Sequence, residues 1–156
     1  CDYPAHPDEE KFTAWASDVN IGLDQLFPTK NTQECVAIDL SVSSKWLGHL
    51  SEFANFELFD FKISQLQKKH PNAIIGGGYK EPRLVYNTEA YQKNGNEKKE
   101  SRTIHLGIDF WLPAGTPVHA PLKGEVVIAE NDAGDKEYGG LIILKHEVKE
   151  LTFFSL

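Results

Sequence analysis

Methionine is absent from the 156 residues, and cysteine occurs only at positions 1 and 35. Without Met the chain does not begin where translation began, so a piece of a longer protein is expected. Two cysteines supply neither a disulfide framework nor a zinc knuckle. Cys35, inside the apolar run Cys35-Val36-Ala37-Ile38, reads as a buried free thiol. No apolar run approaches the ~20 residues needed for a membrane-crossing helix. Positive charge is also scarce, with 16 basic against 23 acidic residues and a net charge of −7. Nucleic acid is therefore excluded as a partner, because phosphate binding needs a concentrated cationic face.

What remains has globular composition. Nine Phe, five Tyr and three Trp make the chain too aromatic for a disordered tail. The length fits one ordinary domain, or a small domain plus part of another. Phe12, Trp15, Ala16, Val19, Leu23, Leu26 and Phe27 recur at helical spacing, after the acidic entry Pro7-Asp8-Glu9-Glu10. Gly22 weakens that helix and Pro28 stops it. Alternation from Glu34 to Val42 predicts a strand. Asn55 to Phe61 suggests another, with Asp60 capping a short helix through Ile63, Leu66 and His70. Ala73-Ile74-Ile75 and Arg83-Leu84-Val85-Tyr86 read as strands around Gly76-Gly77-Gly78. The triple glycine lacks the Lys-Ser/Thr of a phosphate-binding loop, so a turn with positive φ is the better account.

Residues 93–102 carry no hydrophobic side chain and read as a polar surface linker. They divide a mixed α/β region, 1–92, from a β-rich region, 103–156. In the latter, strands are expected at Thr103–Phe110, Pro117–Ala120, Val126–Ala129 (short and buried), Leu141–Leu144 and Thr152–Phe154. Their spacing and their Gly and Pro turns predict an antiparallel meander, and α+β overall.

His105 and Asp109 form the one arrangement that looks like a site. Both residue types bind metals. On a straight strand they share a face but lie ~13 Å apart. They converge only if the chain bends, and Gly107 permits a bend. Spacing alone leaves two readings open: a metal pair, or a hydrogen-bonded His beside a turn Asp.

His105-Leu-Gly-Ile-Asp109 is followed by Phe110, Pro113, Gly115-Thr-Pro-Val118, Ala120, Gly124, Val126-Val127, Tyr138-Gly139 and Ile142-Ile-Leu144. This ordered series, over about residues 102–156, resembles the first half of a lysostaphin/LytM-type zinc metalloendopeptidase domain. That family cuts peptide cross-links in bacterial cell walls. The resemblance implies a lysostaphin-like half-domain (a duplicated hybrid motif), zinc as the cofactor and His105 and Asp109 as two of its three ligands. The family's Tyr/Met-x-His and His-x-His segments, which supply the third ligand and the two histidines that act on water and the transition state, have no counterpart here. His119 and His146 are not convincing substitutes. No catalytic residue is therefore expected within this chain, and zinc should be weakly held or absent. The partner implied for an intact parent is a peptide or peptidoglycan cross-link.

Gly76-Gly-Gly-Tyr79, Glu81, Arg83, Tyr86 and Arg102-Thr-Ile-His105 are also similar to a peptidase-like module in phosphotransferase–aminotransferase fusion chains. That likeness implies a cytoplasmic spacer or sensor, whereas the peptidase resemblance implies the cell envelope. Enzyme and non-catalytic scaffold thus stand as alternatives. The apolar run Leu151–Leu156 predicts a strand with an unpaired edge, open to a dimer through residues 141–156.

Overall fold

A computed structural model describes residues 6–48, 55–83, 92–93, 100–101, 104–133 and 138–156. The elements begin with helices α1 (Glu9–Asp18) and α2 (Leu23–Leu26), strand β1 (Cys35–Ala37), helix α3 (Phe56–Lys69) and strand β2 (Ile74–Gly77). Short strands follow: β3 (Glu81–Pro82), β4 (Gln92–Lys93), β5 (Glu100–Ser101), β6 (Ile104–His105) and β7 (Asp109–Trp111). The last are β8 (Glu125–Asp132), β9 (Gly139–Val148) and β10 (Leu151–Ser155). Helix and antiparallel sheet are both present, as α+β requires. The chain forms two compact units, Thr29–Pro117 and Cys1–Pro28 with Val118–Leu156. Each draws on residues from both sides of the polar segment, whose ends pair as β4 and β5.

In the unit of residues 1–28 and 118–156, the expected single helix is two. Val19, Asn20, Ile21 and Gly22 are all poor helix formers, and Val19 is already extended. The backbone N–H of Gly22 donates to the Gln25 side chain at 2.9 Å, restarting the helix as α2. On α1, Phe12 and Trp15 face Phe153 of β10, with ring centroids 5.2 and 4.8 Å away. Of the strands expected in an antiparallel meander, only the last three form it, as β8, β9 and β10; the strand expected over Thr103–Phe110 is split into β6 and β7, which pair with β3 and β2 instead. Two expectations fail in this unit. Pro117–Ala120 is no strand: prolines at 117 and 121 remove ladder donors, and His119 N–H donates to Leu26 O instead. Val126–Ala129 lies within β8 but is not buried, Val126 being 57% and Ile128 37% exposed. Its strand is an edge of the three-stranded sheet, so apolar sequence did not translate into cover.

In the unit of residues 29–117, β1 pairs parallel to β2, which pairs antiparallel to β7. Ile38, Leu40, Leu47, Ile63 and Ile75 make its core, with Trp46, Phe59, Leu66 and Trp111 packed against them. The strand expected over Asn55–Phe61 is helix α3. Asn55 is the cap, its side chain accepting from Leu58 N–H at 3.0 Å. Ile63 and Leu66 extend the apolar stripe that begins at Phe59, so the periodicity is helical from the start. Cys35 is not buried: it is an exposed free thiol. Alternation turns Val36 and Ile38 inward, which faces Cys35 outward. Residues 84–86 of the expected Arg83–Tyr86 strand lie outside the described residues. Of the three glycines, only Gly78 has positive φ, at +84°. Gly76 and Gly77 sit within β2 and serve close approach, since a Cβ at 77 would stand 2.6 Å from Ile38 O.

Candidate metal centre

Two antiparallel pairings converge on one register. Ile75, Gly76 and Gly77 of β2 oppose Trp111, Phe110 and Asp109 of β7. Glu81 and Pro82 of β3 oppose His105 and Ile104 of β6. Between the paired blocks, each strand spends the same three positions unpaired: Gly78–Lys80 on one, Leu106–Ile108 on the other. The register therefore runs on unbroken while both strands kink together. Positive φ at Gly78 and Lys80 turns the first strand, and a bend at Gly107 turns the second.

The kink draws His105 and Asp109 together. His105 Nε2 lies 3.5 Å from Asp109 Oδ1, far inside the ~13 Å of a flat strand. His105 Nδ1 lies 2.7 Å from the carbonyl of Gly78. A carbonyl only accepts, so Nδ1 carries the hydrogen, and in the neutral ring the Nε2 lone pair faces Asp109. A Cβ at 107 would come within 3.1 Å of that Nε2, so glycine there leaves room beside it as well as allowing the bend. Asp109 Oδ2 forms a 2.6 Å ion pair with Arg83 Nη2, and Arg83 Nε donates to Glu81 Oε2 at 2.8 Å. Arg83 and Glu81 are buried, while Asp109 is half-buried.

Residues 103–155 match peptidase family M23. This stretch of the chain is similar to that family. The match covers about a third of the 156 residues and runs from just before His105 to the end of β10. M23 proteins are peptidases, in general zinc-dependent and directed at peptidoglycan peptides. No curated protein and no solved structure matches the chain, which leaves the likeness to fusion chains without support.

Within the matched stretch, the His146 ring is engaged in the fold. His146 is 1% exposed and stacks on Phe153 at 4.9 Å. Its Nδ1 donates to Lys123 O at 2.9 Å, and its Nε2 accepts from Ser155 Oγ at 2.8 Å. Both ring nitrogens are spent on the fold. His119 is exposed. Among the described residues no group of three or more His, Cys, Asp or Glu is placed to hold a metal ion.

Arg83 and Glu81 are the neighbours that reading for motifs did not assign to the pair. One signal was available: Glu81-Pro82-Arg83 sets opposite charges two apart, which on an extended chain puts both on one face.

Proposed function

We propose that His105 and Asp109 are two ligands of a zinc centre of M23 type, serving hydrolysis of cell-wall-type peptides. The observation that carries this reading is the 3.5 Å separation of Nε2 and Oδ1. Two ligand atoms on tetrahedral zinc, each ~2.0–2.1 Å from the ion, stand about 3.3 Å apart. The donor set also fits, as one imidazole nitrogen and one carboxylate oxygen both suit zinc. Charge does not oppose a cation, because Glu81 offsets Arg83 and Asp109 leaves the cluster net negative. Bound zinc supplies Lewis acidity toward a peptide carbonyl. The protein side chains hold the two donors, with His105 turned by Gly78 and Asp109 by Arg83.

Two ligands hold zinc weakly, and no group of three or more metal-binding side chains occurs among the described residues. Weak zinc binding and no cleavage of pentaglycine are the expected outcomes for this chain. Zinc titration followed by NMR tests the reading. The largest shifts are expected at the His105 ring and around Gly107, and they vanish in His105→Ala and Asp109→Ala. Shifts centred on His6, Cys35 or His119 would overturn it.

The second reading is a scaffold that keeps the fold without hydrolysis, favoured by the net charge of −7, since engaging anionic wall polymers calls for a cationic surface. Turnover of pentaglycine that is lost in His105→Ala would exclude it. A further partner is a second copy of the chain. Among the described residues β10 pairs with β9 alone, and Phe154 on it is 61% exposed, both of which favour strand addition through residues 141–156. Light scattering should show a dimer, and a clean monomer at high concentration would remove this reading.

A further inference from the structure

Arg83 spans two carboxylates that come from different strands. Its Nε donates to Glu81 Oε2 at 2.8 Å while its Nη2 lies 2.6 Å from Asp109 Oδ2. Glu81 is itself tied down, since its other oxygen accepts the backbone N–H of Leu40 at 2.6 Å. Leu40 belongs to the hydrophobic core. The guanidinium is thus anchored to the core through Glu81, and Asp109 is anchored through the guanidinium.

We propose that Arg83 is the positioning residue of the candidate metal centre, occupying Asp109 Oδ2 so that Oδ1 alone is presented to an ion shared with His105. The proposal rests on the reading of His105 and Asp109 as ligands. A loose carboxylate on a half-exposed strand end rotates and offers either oxygen, or both. With Oδ2 held by Arg83, only donation through Oδ1 remains, which suits the small, tetrahedral shell of zinc. A planar guanidinium can donate to Glu81 through Nε while its Nη2 end sets the charge against Asp109, whereas a lysine ammonium is a point charge at one place. Glu81 fixes the guanidinium plane and cancels its charge, so the cation beside Asp109 does not repel the metal. With Gly78 holding His105 in the same way, each ligand has its own fixed partner.

Co2+ binding to the whole chain, read by competition affinity and visible absorption, tests this directly. Losing a partner that orients a ligand costs ~10–100-fold in metal affinity. Arg83→Gln and Arg83→Lys are both expected to lose that much and to alter the absorption bands, with Lys failing to rescue. Glu81→Gln, which leaves Arg83 in place, should shift both readouts in the same direction by less. Wild-type affinity and spectrum in either Arg83 variant, while Asp109→Asn loses binding, would overturn the positioning role and leave the ligand reading intact. A wild-type chain that takes up no Co2+, or binding unchanged in Asp109→Asn and His105→Ala, would overturn the ligand reading itself. If the Arg83 variants fail to fold, Glu81→Gln decides, and wild-type affinity and spectrum there overturn the proposal.

Discussion

The carbonyl of Gly78 accepts the Nδ1 hydrogen of His105 at 2.7 Å, across 27 residues of chain. Gly78 reaches this place with φ +84°, and a Cβ there would run into Arg83 and Glu81. Gly78→Ala therefore strains the backbone and displaces the Arg83–Glu81 pair together. A stability loss of about 1–3 kcal/mol is expected in urea unfolding. Nitrogen-15 NMR should show the Nδ1–H tautomer of His105 in the wild type and its erosion in the variant. An unaffected tautomer would show that the Gly78 carbonyl does not set it.

Gly124 and Gly140 make a matched pair of tests in the other unit. A Cβ at 124 would stand 2.8 Å from His146 Nδ1 and 3.0 Å from Lys145 O, whereas at 140 it would meet nothing within 4 Å. Gly124→Ala should dislodge the buried ring and cost about 1–3 kcal/mol. Gly140→Ala should stay within about 0.5 kcal/mol of wild type, or gain slightly from a stiffer unfolded chain. Equal melting curves for the two variants would contradict the packing of His146.

Phe153 carries α1 on the sheet. Its ring meets Phe12, Trp15 and His146, while Phe154 beside it points to solvent. Phe153→Ala should cost about 3 kcal/mol or somewhat less, and Phe154→Ala under about 1 kcal/mol. Trp15 fluorescence should shift to the red in the first variant only.

Asp39 titrates below its ordinary value of 3.8, held down by hydrogen bonds from the Ser41 side chain and backbone. The backbone N–H of Ser41 donates to its Oδ1 at 2.8 Å. A depressed carboxylate binds fewer protons folded than unfolded. Its contribution is complete above the unfolded value and is lost as pH falls through the folded one. Acid unfolding of Asp39→Asn should accordingly be shallower than that of wild type below about pH 4. Parallel acid limbs for the two proteins would rule the contribution out.

Local chemistry was legible in residue order wherever one segment decided the outcome. The meander β8–β9–β10 follows from strand spacing, and the weak point at Gly22 was visible although the full break there was not. The His105–Asp109 pair is readable because Gly107 stands between two metal-binding side chains. Burial was not legible in the same way. Val126–Ala129 is apolar yet exposed, and Cys35 sits in an apolar run yet faces out, because cover depends on which elements pack above a strand. At the candidate centre, sequence determined only the two donor types and the glycine that lets them meet. Tertiary structure decided the rest: the kink shared by two strands, the Gly78 carbonyl on His105 and the Arg83–Glu81 arm on Asp109. These contacts join residues more than twenty positions apart, and no local period encodes them. They exist because β2–β3 and β6–β7 keep one register on both sides of the kink, and register is set by pairing between distant segments.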